Sequence, residues 1–192
     1  MSQAKADTDL ELIRRVKSGE TQAFDGLMQR YATRIYQVIY GMVHNQADTQ
    51  DLSQETFIHA YQGIKGFNEK YRFYTWLYRI AINLCINHWK RKKTAQLVPI
   101  ENGESYADPN PNANPGSQDL RRVVERKLLQ LPEEQKTVFV LRTFEEMSYQ
   151  EIAGVLGISI GTVMSRLSRA REKLKELLKD YMPNNQKLTT NI

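Results

Sequence analysis

A single cysteine, Cys85, in 192 residues leaves no partner for an internal disulfide, which excludes the cross-linked frameworks of small secreted domains and fits a reducing cytoplasm. Long hydrophobic runs are missing too: no apolar stretch approaches the ~20 residues that span a bilayer. The polar, mixed-charge start from Met1 to Asp9 lacks the apolar core of a signal peptide. Catalytic hardware is equally scarce, with no nucleophile beside a base, no glycine-rich phosphate loop and no metal constellation. Cys85 and His88 stand three apart, but one pair of candidate ligands without a second is not a zinc site, and His44 and His59 show no ligand spacing. These absences point away from a secreted protein, a membrane-inserted protein and an enzyme, and call for neither a metal nor a cofactor.

What is present is charge and helical periodicity. The net charge is +5 and the sequence pI about 9.2, a mild excess that suits a polyanionic partner. From residue 10 to 93, apolar residues recur every three or four positions: Leu12 and Val16, then Phe24, Leu27, Met28, Tyr31, Ile35, Val38, Ile39 and Met42. Gly19 separates the first two helices; a third is expected over Asp48 to Ile64, ended by Gly63 and Gly66, and a fourth from Phe73 to Trp89. The stretch 94–119 differs in kind, with prolines at 99, 109, 111 and 115, no basic residue, and Glu101, Glu104, Asp108 and Asp119. It reads as an acidic flexible linker. Periodicity resumes over 120–180, with Pro132 expected in the first turn of a helix containing Val138, Phe139 and Leu141. The polar tail from Pro183 reads as frayed. The fold class is therefore all-α: two small helical domains joined by an acidic linker.

The second domain carries a helix-turn-helix. Ser148 lies three residues before Glu151, the capping-box spacing that starts a helix. Gly157 stands where the chain must enter the left-handed region to turn. Ser159 then sits at a new N-cap, and Val163, Leu167, Ala170, Leu174 and Leu177 form one apolar stripe. Thr162, Ser165, Ser168, Arg169 and Glu172 point away from that stripe, with Met164, Arg166 and Arg171 on its flanks. Hydroxyls and guanidinium groups can donate to base edges or phosphates, so this face has the chemistry of a major-groove reader. Ser159, Gly161, Thr162, Met164, Ser165, Arg166, Ser168, Arg169 and Arg171 are its candidate contacts.

Three features mark the first domain. Asp48, Asp51 and Glu55 share a helix face with no lysine or arginine between positions 45 and 61. Such a face repels itself and invites an external basic partner, a solvated face being the plain alternative; the spacing of a calcium loop is absent. Next, Tyr71, Phe73, Tyr74, Trp76, Tyr78 and Trp89 interleave with Lys65, Lys70, Arg72 and Arg79, the pattern that stacks unpaired bases while cations hold phosphates. Phe73, Leu77, Ile80 and Leu84 also sit at core spacing, so part of this cluster is structural. Last, Lys90-Arg91-Lys92-Lys93 ends the fourth helix, where cations complement the helix dipole and can also track a phosphate backbone.

Taken in order, Asp51-Leu52-Ser53-Gln54-Glu55-Thr56-Phe57-Ile58-His59-Ala60-Tyr61, then Phe73 to Asn83, Leu131-Pro132-Glu133-Glu134 and Ile160-Gly161-Thr162-Val163 closely resemble the extracytoplasmic-function (ECF) sigma factors of bacterial RNA polymerase. The resemblance runs from about residue 10 to 179. It implies a sigma-2 domain over 10–93 and a sigma-4 domain over 120–180. By the resemblance, Asp48, Asp51, Leu52, Gln54, Glu55 and Phe57 would dock on core RNA polymerase. Phe67, Lys70, Tyr71, Tyr74, Trp76, Arg79, Asn83, Lys90 and Arg91 would meet the minus-ten element, including a flipped base of the melted strand, whose unstacking a pocket can offset. The sigma-4 helix would enter the minus-thirty-five duplex. An anti-sigma factor, often membrane-bound, would hold the otherwise cytoplasmic chain inactive. Many relatives carry a basic residue where this chain has Met164 and a larger one where it has Ser168, so its promoter sequence cannot be copied from them.

Two other readings compete. A one-component regulator would use the helix-turn-helix but leave the Asp48 face and the aromatic cluster without a task, and an enzyme finds no catalytic constellation to build on.

Overall fold

The computed structural model describes residues 8–95 and 123–181, all-helical with no strand among them. Helix α1 (Asp9–Lys17) opens on a capping box in which Thr8 and Glu11 satisfy each other's backbone amides. It buries Leu12, Ile13 and Val16. Gly19, at φ +105, turns the chain into α2 (Ala23–Val43). The apolar residues read from the sequence, Phe24, Leu27, Tyr31, Ile35, Val38, Ile39 and Met42, are all buried there, while Met28 is 38% exposed. His44 ends α2 in the left-handed conformation, its amide donating to the Tyr40 carbonyl. Asn45 then caps α3 (Gln46–Gly63) by accepting from the Asp48 amide. A 3-10 turn over Ile64–Gly66 leads to α4 (Phe73–Ala95).

Helix α4 extends six residues past the expected end at Trp89. The basic block therefore forms its last turns, and Thr94 and Ala95 belong to it rather than to the linker. Nothing in Lys90–Lys93 breaks a helix, and cations are favourable at a C-terminus. The remainder of the expected linker, 96–119, lies outside the described residues, as does the tail from 183. Helical residues 123–128 form α5. They are followed by α6 (Glu133–Thr143), α7 (Tyr149–Leu156) and α8 (Ile160–Leu177). Pro132 occupies the N-cap of α6, one position before the expected first turn; its missing N–H costs nothing at either place.

One buried cluster runs from Leu12 in α1 through α2, α3 and α4 to Val138, Leu141, Ile152, Val155, Val163 and Leu167 in α6–α8. The second half thus packs directly on the first, α6 against α2 and α7 against α4. Gly41 permits the first of these contacts: a Cβ there would lie 3.2 Å from Val140 and 3.4 Å from Phe144. A smaller cluster of Leu128, Leu131, Ala170 and Leu174 ties α5 to α8.

Candidate nucleic-acid interface

The helix-turn-helix forms as its residues dictate. Ser148 Oγ accepts from the Glu151 amide at 3.3 Å, and a Glu151 carboxylate oxygen accepts from the Ser148 amide at 2.8 Å. Gly157 takes φ +66, and no atom stands within 4 Å of where its Cβ would be, so backbone conformation alone selects glycine. Ser159 caps α8 by accepting from the Thr162 amide at 3.1 Å. Val163, Leu167, Ala170 and Leu174 are buried, and Leu177 is half-buried. This leaves Gly161, Met164, Ser165, Ser168, Arg169 and Arg171 exposed, Ser159 exposed at the cap, and Thr162 and Arg166 half-buried. Arg166 pairs with Glu134 of α6 at 2.6 Å.

The N-terminal cluster is less open. Phe67 is buried, packed edge-on against Phe73 with centroids 5.8 Å apart and tilted against Trp76 at 5.2 Å. Its backbone carbonyl accepts from Lys17 Nζ at 2.8 Å, and Glu69 binds both Arg14 and Lys17. The loop is thus pinned to α1 from behind, while Lys70 and Tyr71 stand free at the front, Tyr71 with 68% of its surface in solvent. Trp76 lies half-buried against Gly63, where a Cβ would come within 3.2 Å of its ring.

Along α4 the polar side chains turn to the second half of the molecule. The Tyr74 hydroxyl donates to the Glu151 carboxylate, which also faces Arg72 at 3.4 Å. The bond from Tyr74, with those from Ser148, holds the Glu151 carboxyl below the usual range, whereas burial and that same carboxylate push the Tyr74 hydroxyl up. Tyr78 donates to Glu145, whose pKa is raised by burial. The Arg79 guanidinium donates to the carbonyls of Gly154 and Val155, capping the C-terminal end of α7. Asn83 is exposed at the rim of a cleft of about 330 Å³ lined by Arg79, Ile82, Ile86, Val155, Leu156 and Gly157. Farther along, Lys136 of α6 lies 5.0 Å over the Trp89 ring, and burial lowers its pKa. Lys90 and Arg91 remain exposed.

The acidic helix departs from expectation. Asp48 faces inward across α4, accepting from Lys92 Nζ at 2.7 Å and lying 3.3 Å from His88 Nε2, so its basic partners are internal. Leu52 and Phe57 are core residues and sit beneath the face rather than on it. Asp51 and Gln54 are exposed, and Glu55 is half-buried, 3.8 Å from His59. Ile58 at 54% and Tyr61 at 42% exposure flank them. Ile58 falls seven residues after Asp51, on the same face. Cys85 is fully buried, its thiol pushed up to about 12, and does not share the His88 environment beside Asp48. Among the described residues no three His, Cys, Asp or Glu side chains gather as a metal site.

Comparison with known proteins decides what this arrangement belongs to. Residues 27–95 match the family model for sigma-70 region 2, and residues 121–174 match that for sigma-70 region 4. ECF sigma factor SigW of Bacillus subtilis is 36% identical over 178 residues, covering 88% of this chain and 95% of that protein. The chain belongs to the ECF RNA polymerase sigma factors. Sigma-H factor of Pseudomonas aeruginosa is 36% identical over 92% of this chain and 96% of its own, and ECF sigma-E factor of Escherichia coli K12 is 36% identical over 87% and 92%. These relatives are transcription initiation factors rather than enzymes. Among solved structures, CnrH in complex with the cytosolic domain of CnrY superimposes with a TM-score of 0.71 at 28% identity, covering 92% of this chain and all of that one. RpoE from Bartonella quintana, solved with the anti-sigma factor NepR, shares the fold with a TM-score of 0.66 at 24% identity. No helix among the described residues is long and apolar enough to cross a membrane.

Proposed function

We propose that this sigma factor grips a promoter at two points for core RNA polymerase, α8 in the minus-thirty-five major groove and the start of α4 with its preceding loop on the melted minus-ten strand. The observation that carries the reading is the two sigma regions in order on one chain, the second built on a capped, glycine-turned helix pair with an exposed Ser168 and Arg169 face. Tyr71 and Lys70 are the open stacking and phosphate groups of the first grip, Trp76 and Asn83 follow along α4, Lys90 and Arg91 extend its phosphate track, and Phe67 supports the ring cluster from within. On α3, the polymerase-facing set is Asp51, Gln54, Glu55 and Ile58, Asp48 being occupied by α4. The functional units are sigma-2 over 10–93 and sigma-4 over 120–180. The chain works in the cytoplasm, and an anti-sigma factor anchored in the membrane would hold it there by covering these surfaces.

Gripping both elements requires the halves to part. By their numbering the two elements are centred about 25 base pairs apart, roughly 85 Å at ~3.4 Å per pair, whereas α4 and α7 are in direct contact through Arg79 and Tyr74. The described arrangement is therefore a closed form, and polymerase supplies the surface on which it opens. Reconstitution with core polymerase and sequencing of transcript 5′ ends tests the reading. Promoter-specific starts are expected; starts no more selective than those of core alone would overturn it. Tight binding of duplex promoter by the isolated chain would favour a one-component regulator instead.

A further inference from the structure

The first two turns of α8 are poorer in free hydrogen-bond donors than their composition suggests. Ser165 Oγ donates to the Thr162 carbonyl at 3.0 Å. The Ser159 and Thr162 hydroxyls bond to each other at 2.9 Å, and Ser159 Oγ also accepts from the Thr162 amide. Arg166 is engaged by Glu134. The Ser165 hydroxyl hydrogen, one of the two hydroxyl hydrogens of Ser159 and Thr162, and the Arg166 guanidinium are thus turned back on the protein.

Two large apolar side chains stand in solvent on the same turns: Ile160 is 42% exposed and Met164 53%. Four residues apart, they share one face of the helix, and neither joins either buried cluster. In a helix-turn-helix the N-terminal residues of the second helix are the ones that meet base edges. The apolar group that a base pair offers in the major groove is the thymine 5-methyl, since every other distinguishing feature there is a donor or an acceptor. We infer that Ile160 and Met164 form an apolar ridge that reads thymine methyl groups in the minus-thirty-five element. The inference rests on the groove reading proposed above and adds which feature of the bases this chain selects. Arg171, exposed seven residues after Met164, carries positive charge on that same side of the helix.

The test uses holoenzyme and a duplex spanning a promoter mapped by its transcript starts. Each thymine of the minus-thirty-five element, on either strand, is replaced by deoxyuridine, which lacks only the methyl group. Losing one buried methyl contact should weaken binding about three- to tenfold at one or two positions. That penalty should vanish in Ile160→Ala or Met164→Gln holoenzyme, a coupling that a double-mutant cycle isolates. Both substitutions are at exposed positions, and circular dichroism checks that the helix persists. Equal affinity for every deoxyuridine duplex, an element without A·T pairs, or a penalty that survives in both variants would overturn the ridge. Scrambling the whole element separates this failure from that of the parent reading. If scrambling weakens binding while deoxyuridine does not, the groove contact stands without methyl readout; if scrambling has no effect, the groove contact itself falls.

Discussion

Helices α4 and α8 are the two long basic helices on which the promoter reading rests, yet they meet the rest of the molecule in opposite ways. Helix α8 buries one stripe and leaves its far side open, with Ser165, Ser168, Arg169 and Arg171 all exposed. Helix α4 is enclosed from both sides: its apolar face enters the core through Leu77, Ala81, Ile82 and Cys85, while Tyr74, Tyr78 and Arg79 are bonded to α7 and the turn before it. The outward face of α8 is thus open to solvent, whereas the polar side of α4 is engaged by the second half of the molecule. Basic and aromatic composition alone does not tell a presented surface from a sequestered one, because a guanidinium satisfies a helix C-terminus as readily as a phosphate.

The largest test strikes the core the two helices share. Leu167, only 2% exposed, anchors α8 in the cluster that begins at Leu12, and Leu167→Ala should cost about 2–5 kcal/mol. A single thermal transition moved to lower temperature is expected; a second transition left at the wild-type temperature would show that α1–α4 stand without α6–α8. Next in size is Arg169→Ala on the open face. In holoenzyme it should weaken promoter binding by about 1–3 kcal/mol if the guanidinium reads a base, or lower the salt slope by about 1 if it holds a phosphate. Unchanged affinity at two salt concentrations would remove Arg169 from the groove.

On the closed side, Arg79→Ala removes two charge-assisted bonds to the Gly154 and Val155 carbonyls. One being exposed and the other only part-buried, they should hold the contact by only about 1 kcal/mol. Spin labels at exposed Gln62 and Lys175 would report the separation of the halves, Cys85 being buried beyond labelling. A longer or broader distance distribution in the free variant is expected, and one matching the wild type would mean that Arg79 is not part of the latch.

What the sequence disclosed follows from the range over which each signal acts. The capping box at Ser148, the glycine turn at Gly157 and the apolar stripe of α8 depend on residues within a few positions, and all are found in the structure. The end of α4 is not legible locally, because no breaker follows Trp89 and a basic run neither extends nor stops a helix by itself. The partners of Asp48 were hidden for a different reason. Lys92 lies 44 residues away, and only the packing of α3 on α4 brings it across. Phe67 and Leu52 illustrate the same limit: family position names a residue's neighbourhood, but burial decides whether its side chain reaches a partner. The closed contact of α7 on α4 was invisible to local pattern, since Arg79 and Glu151 carry the composition of surface residues.

The smallest effect is expected at Glu145, where the closed contact should respond to pH. Burial raises its carboxyl pKa, and the Tyr78 hydroxyl bond only partly offsets this. A group whose folded pKa lies above its unfolded one contributes fully below the unfolded value and loses that contribution as pH rises through the folded value. Glu145 is therefore a half-buried carboxyl whose ionised form burial disfavours. Glu151 has the opposite sign: its depressed pKa gives stability above the ordinary carboxylate range that is lost as pH falls through the lower folded value. The two act in separate windows, Glu145 at and above the ordinary range and Glu151 below it. Glu145→Gln keeps an acceptor for Tyr78 but cannot ionise, so it should match or exceed the wild type at neutral pH by less than about 1 kcal/mol. Urea midpoints followed from about pH 8 to pH 4 should show the wild type gaining on the variant as Glu145 takes up its proton. A wild-type-to-variant difference that stays constant across that range would mean that Glu145 does not titrate within the contact, leaving the α4 side of the comparison held by Arg79 and Glu151.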